Sequence, residues 1–417
     1  VGAHASVLTL AASAPVWVGR SVREAFFMFW ETLWPLVLGF GLSGAVQVFV
    51  PRRRMERALG SHAPAAVARA SGYGMVSSSC SYAASAMAKS LFAKGADFVT
   101  SMVFMVASTN LVVELGIVLA VLMGWQFAAA EFVGGPIMIV LLVLLGAWAF
   151  PPRLTMPARR RVAGPREHDD APPRPSLRSK AAWADAAGYA VADVKMLRRE
   201  LVIGYLVAGF LTVLVPVHAW DAVFLHGHGP WTTLENALVG PFVALISFVC
   251  SIGNVPLAAA LWRGGISFGG VVAFIFADLI TFPLLLVYRK YYGAPVALRM
   301  LAVLWAVMAA AGLIVEGLFT AAGLVPHRST TVVAATSFHW GYTTYLDIVF
   351  IAVFAVTYWL SRQQRHWGGG QGYALDPVCG MQVRTSDAPA HATRDGRDVW
   401  FCSDQCRDRF TAAASGP

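Results

Sequence analysis

CSIGNVPLAAALWRGGISFGGVVAFIFADLITFPLLLVYRKYYG, residues 250–293, is the stretch whose reading decides the fold. Ser251, Asn254 and Pro256 are residues that begin a helix: the first two as caps, the proline in the first turn. Beyond Arg263 and its glycines runs an apolar segment long enough to cross a bilayer, interrupted by one acid, Asp278. An earlier stretch, CSYAASAMAKSLFAKGADFVTSMVFMVAS from Cys80, aligns with it without gaps. Cys-Ser, Ala88/Ala258, Leu91/Leu261, Gly95/Gly265, Phe98/Phe268, Phe104/Phe274 and Ala107/Ala277 coincide. The chain therefore reads as an internal duplication.

Working outward, the composition excludes a water-soluble fold. Of the 417 residues 57% are hydrophobic and 13% charged, and mean hydropathy is +0.60. A soluble domain carries about 25% charged residues. A cytosolic enzyme and a DNA-binding protein are excluded despite the net charge of +9. Apolar stretches at 28–50, 98–123, 128–150, 200–217, 267–287, 297–323 and 342–361 are candidate spans. Residues 1–20 lack a basic start and do not read as a signal peptide. Basic residues mark the inner side: Arg52, Arg53, Arg54 and Arg57; the 151–199 loop; and Arg289, Lys290 and Arg299. Residues 218–235 and the turn at Gly124 carry none and face out.

Segments 64–94 and 236–265 must each end on the side where they began, the first at Lys89 and Lys94, the second near Arg263. Half-helices of about 12 residues reach just past the midplane of a core about 30 Å thick. Each segment is therefore a re-entrant hairpin. The expected fold is an all-α polytopic membrane protein with two inverted repeats, each containing a re-entrant helical hairpin, plus a small C-terminal metal-binding-like domain. The divisions are 1–150, the first repeat; 151–199, a basic cytoplasmic linker with an amphipathic lead-in; 200–323, the inverted second repeat; 324–361, an extra helix; 362–372, a Gly-rich tether; and 373–417. Transporters built from inverted repeats bind substrate at the midplane between broken helices.

The 250–293 stretch, with SSSCSYAASAMAKSLFAKGADF around Cys80, resembles the predicted-permease family that includes the ArsP organoarsenical efflux permeases. The resemblance covers about residues 20–361. It implies export of trivalent arsenicals, methylated and aromatic ones above all. DPVCGM followed by WFCSDQCRDRF in the tail resembles a YHS domain, a module often attached to heavy-metal transport proteins.

The candidate substrate site is Cys80 with Ser79 and Ser81 at one hairpin break, and Cys250 with Ser251 and Asn254 at the other. A cysteine at a helix N-terminus is biased toward thiolate, and soft thiolates select soft metals and, by the same logic, As(III). A methylated trivalent arsenical has two exchangeable positions, which two thiolates satisfy. Asp278, an acid at membrane depth, is the candidate proton-coupling group, with Asn110 in the equivalent span; Glu131 and Glu316 are expected nearer the hydrated outer ends. His226 and His228 read as a solvated loop. In the tail, Cys379, Cys402 and Cys406 form a candidate site for zinc, copper or As(III), with Asp376 or His391 as a fourth ligand. Transport itself needs no cofactor. The implied partners are membrane lipid and a small organoarsenical or soft metal, with no nucleic acid, in the inner (plasma) membrane with the C-terminal domain cytoplasmic. The alternatives are efflux of copper, zinc or mercury, and a thiol-dependent membrane enzyme. Against the enzyme, the sequence has no HExxH, GxSxG or nucleotide motif.

Overall fold

A computed structural model describes residues 2–50, 52–77, 80–163, 177–214, 230–247, 254–326, 342–364, 366–367, 373–378, 382–385, 388–394 and 397–414. The helices are α1 (Gly2–Phe49), α2 (Arg52–Leu59), α3 (Pro64–Ser77), α4 (Ser81–Ala93), α5 (Phe98–Asn110), α6 (Val113–Leu122), α7 (Trp125–Ala149), α8 (Pro152–Ala163), α9 (Lys180–Leu214), α10 (Pro230–Ser247), α11 (Asn254–Gly264), α12 (Phe268–Phe276), α13 (Phe282–Tyr292), α14 (Ala294–Ala321) and α15 (Tyr342–Arg362). A 3-10 turn, Ala277–Ile280, joins α12 to α13. At the C-terminus lie β1 (Tyr373–Leu375), β2 (Gln382–Arg384), β3 (Ala390–Arg394), β4 (Arg397–Phe401) and α16 (Asp404–Ala414).

Among the described residues, Thr32–Phe49, Trp125–Ala149, Ala294–Ala321 and Thr344–Arg362 are single helices long and apolar enough to cross a bilayer. The stretches 98–123 and 267–287, expected as continuous spans, are each broken and bent by 41°. At the second break the cause is local. Pro283 has no N–H and its ring displaces the carbonyl of residue 279. That carbonyl, on Leu279, accepts instead from the Tyr288 hydroxyl at 3.0 Å. Ser108, Thr109 and Asn110 stand at the corresponding break of the first half, between α5 and α6.

The order α3–α4–α5–α6–α7 recurs as α10–α11–α12–α13–α14, down to the turns. Gly95 and Gly265 enter α5 and α12 at φ +106° and +109°, values L side chains rarely adopt. Each turn closes with the same pair of bonds, Gly95 N–H to Phe92 O and Ala96 N–H to Leu91 O, against Gly265 N–H to Trp262 O and Ile266 N–H to Leu261 O. Asp97 caps α5 through the N–H groups of Val99 and Thr100, and Ser267 caps α12 through that of Gly270.

Within each half the chain reverses. Ser61 O accepts from Thr100 Oγ1 at 2.7 Å, while Ser77 Oγ meets Ser108 Oγ at 2.8 Å, so α3 runs parallel to α5. Phe92 packs edge-on against Phe98 at 5.1 Å, so α4 returns antiparallel to the end where α3 began. In the second half Gly240 lies against the Gly270 carbonyl, and Trp262 faces Phe268. α5 starts beside Phe150 and Tyr292, at the ends of α7 and α13. α12 starts at the opposite end, beside Phe127 and Phe319.

α1 and α9 pack antiparallel with backbones in contact. A Cβ on Gly44 would fall 2.2 Å from Ala186 O, and one on Gly209 2.3 Å from Ser21 O. The helix through the expected 200–217 span begins already at Lys180, so the amphipathic lead-in is continuous with it. In the C-terminal region two antiparallel hairpins, β1–β2 and β3–β4, are covered by α16 through Phe401 and Phe410, whose rings lie 5.2 Å apart.

Candidate functional site

The interior of the bundle is mainly apolar, and each buried polar group in it is a point where burial costs free energy unless bonded. The central one is Asp278, 1% exposed, on the 3-10 turn between α12 and α13. Its Oδ2 accepts from Ser81 Oγ at 2.9 Å. Ser81 opens α4, and Cys80 is the N-cap residue of that helix with extended backbone (φ −64°, ψ 157°) and no side-chain capping bond. The break of one half thus meets the hairpin of the other, with a partly buried free thiol alongside. Asp278 is within electrostatic reach of that thiol and of Glu131.

Glu131 was expected toward a hydrated end of α7. It is instead 1% exposed, and its Oε1 has no hydrogen-bond partner among the described residues. The reason is packing: the next turn of α7 carries Gly134 and Gly135, against which Phe276 and Leu111 press, so this face of α7 lies against both breaks. Asn110 and Asn254, both fully buried, have amide groups without partners among the described residues. Glu316 accepts from Gly269 N–H at 2.7 Å. The site therefore gathers Ser81, Asp278, Glu131 and the Cys80 thiol. Ser79, Cys250 and Ser251 lie outside the described residues, as do His226 and His228, while Asn254 opens α11.

A second polar cluster was missed from the sequence. Lys89, taken as marking the inner end of the first hairpin, is 5% exposed on α4. Its ammonium lies 2.6 Å from Asp193 Oδ1 and 5.1 Å from the ring centre of Tyr291. Ser43 donates to Asp193 Oδ2 at 3.2 Å and meets Ser90 Oγ at 2.7 Å, where Gln47 Nε2 also donates. The only sequence signal for Asp193 was an acid at the end of AAWADAAGYAVAD, inside what was read as linker and lead-in.

In the C-terminal region Cys402 and Cys406 place their sulfurs 3.6 Å apart, and ligand atoms of Asp376, Cys402 and Cys406 lie within 4.8 Å of one another. Tetrahedral zinc with bonds of about 2.3 Å sets its sulfurs about 3.8 Å apart, so the pair fits one soft ion. Asp376 also accepts from Val378 N–H and Cys402 N–H, both at 2.8 Å, which braces the cysteine loop. His391 is exposed and packs on Trp400 at 5.3 Å. Cys379 lies outside the described residues.

A family model described as predicted permease matches residues 25–317, which include both hairpins and Asp278. This chain belongs to that family. The chain is also 46% identical over 319 residues to Rv2963 of Mycobacterium tuberculosis (strain H37Rv), a protein designated a permease; the match covers 73% of this chain and 79% of that one. No solved structure matches the chain. With its apolar helices, the chain is a multi-pass membrane protein and a permease.

Proposed function

We propose that this permease exports trivalent organoarsenicals, such as methylarsenite, in exchange for protons. The observation that carries the reading is the buried Asp278–Ser81 contact, which joins a broken helix to a hairpin tip beside the Cys80 thiol. The opposed directions of α5 and α12 support two inverted repeats, and the reversals of α3–α4 and α10–α11 support two re-entrant hairpins. In sequence Cys250 precedes the first residue of α11 by four positions, and Cys80 precedes that of α4 by one.

In this reading two thiols displace two hydroxyls from the arsenic: CH3As(OH)2 + 2 RSH gives CH3As(SR)2 + 2 H2O, with no change of oxidation state. Release is the reverse reaction and returns a proton to each sulfur. Asp278, within electrostatic reach of Cys80, takes up a proton from the outer side once cargo has left and gives it up to the inner side as the next cargo loads, so one proton enters for each arsenical exported. Ser81 donates to the ionised carboxylate and turns to follow its protonation. The C-terminal dithiol, with Asp376 bracing its loop, serves as a loading site for the same soft element, on a domain similar to YHS modules on the cytoplasmic side.

Uptake of methylarsenite into everted vesicles, with and without an imposed pH gradient, tests the reading. The unaltered chain should show gradient-driven accumulation. Asp278→Asn should abolish the pH dependence while leaving substrate binding intact. Accumulation of copper, zinc or mercury in place of arsenical would overturn the substrate. An unchanged pH dependence in Asp278→Asn would remove that residue from coupling.

A further inference from the structure

A cavity of about 680 Å³ lies between α9, α13 and the C-terminal region, far from equal in character along its length. Its wall includes Arg161, Arg199, Arg289, Lys290 and Arg409, and no carboxylate among the described residues. Deeper, the wall is apolar: Ile203 on α9, and Phe282 and Leu286 one turn apart on one face of α13, all three left partly exposed by the protein. Going from Gly293 to Phe282 along α13 covers about 16 Å at 1.5 Å per residue, close to half the thickness of a bilayer core of about 30 Å. The cations lie toward the Gly293 end of that distance, and Leu286 and Phe282 follow them over the next two turns.

Two of the cations are held in place by the fold. Lys290 Nζ donates to Met196 O at 2.6 Å, which orients it across the gap between α9 and α13. The Arg161 guanidinium rests against Gly293, where a Cβ would fall 2.2 Å from its Nη1. Gly293 has φ +89°, so the close approach and the turn both depend on the absent side chain. Cys402, Ser403, Gln405 and Cys406 roof the basic end.

We propose that this cavity binds an anionic phospholipid of the adjoining leaflet. Its phosphate would lie among Arg199, Arg289 and Lys290 and one acyl chain along Ile203, Leu286 and Phe282. Charge clustered at one end of a cavity whose adjoining wall is apolar matches a diacyl phosphate and not a water-soluble anion, which would leave that wall uncovered. The bound lipid would join the C-terminal region to the membrane helices through Arg409. The inference does not depend on the identity of the transported substrate.

Delipidated full-length chain should retain phosphatidylglycerol over phosphatidylcholine in native mass spectrometry. Each basic residue near a phosphate contributes about 1 kcal/mol, so Arg199→Gln with Arg289→Gln should weaken retention about thirtyfold. Arg54→Gln with Arg153→Gln, which removes equal charge elsewhere, should leave it unchanged. Glycerol phosphate at millimolar concentration should fail to displace the diacyl lipid. In the unaltered chain a photoreactive group in the acyl chain should mark peptides 199–206 and 282–290. Equal loss in both double variants, displacement by glycerol phosphate, or labelling confined to other helices would each overturn the proposal.

Discussion

Replacing Lys89 by methionine should destabilise the folded chain by about 3–5 kcal/mol, because it leaves the Asp193 carboxylate buried without its counter-charge. The side chains of Lys89 and Asp193 are 6% and 7% exposed, so water cannot take over from the lost partner. What remains for Asp193 is the hydroxyl of Ser43 at 3.2 Å, a bond worth about 1.5–3 kcal/mol to a charged acceptor, which offsets only part of the desolvation. Asp193→Leu should cost a similar amount, since among the described residues the Lys89 ammonium would then face the Tyr291 ring at 5.1 Å, a contact worth about 1–2 kcal/mol. The double variant, Lys89→Met with Asp193→Leu, removes both charges. It should recover most of the loss, because buried ion pairs replaced by apolar groups of similar volume are often neutral. Reversible unfolding of the detergent-solubilised chain in SDS, followed by circular dichroism, gives the three free energies and hence the coupling. Single-variant losses below about 1 kcal/mol, or a double variant whose loss equals the sum of the singles, would refute the claim that this pair is a buried, mutually dependent unit.

Gly95→Ala and Gly265→Ala should each lower stability by about 1–3 kcal/mol, since both positions hold φ above +100°; at Gly95 the added Cβ would also fall 2.4 Å from Glu56 Cγ. Thermal midpoints of the purified variants check this, and two unaffected variants would remove the strained turn as a shared structural element. Phenylarsine oxide should bridge Cys402 and Cys406, adding one arsenic that survives denaturation in the mass spectrum, and either Cys→Ser change should abolish the bridged product; its persistence in both variants would exclude this thiol pair. Cysteine labels placed beside Lys94 should react from the cytoplasm alone and those beside Arg263 from outside alone. A label reporting the other face would make that segment a full crossing.

Much of the architecture is written locally. Span length, the small residues and the two Gly turns are patterns over a few residues, and an α-helix or a turn at φ above +100° is decided at that range. So the hairpin break at Cys80, with Ser81 opening the next helix, could be read before any coordinates, whereas the caps at Asp97 and Ser267 were not. The break before α13 was also legible in principle, since Pro283 follows Asp278 within two turns; the apolarity of the stretch concealed it. What the tertiary structure alone decided is which distant polar groups meet. Ser81 and Asp278 are 197 residues apart in sequence, and Lys89 and Asp193 are 104 apart. A lysine near the end of a hairpin carries the same local signal whether it faces water or an aspartate. Only the close packing of α1 on α9, allowed by Gly44 and Gly209, buries Asp193 where Lys89 arrives. Glu131 is the same lesson: an acid in an apolar helix reads alike at a hydrated end and in a core. Its burial follows from Phe276 and Leu111 seating against the glycines of the next turn, a contact between elements that no local pattern encodes.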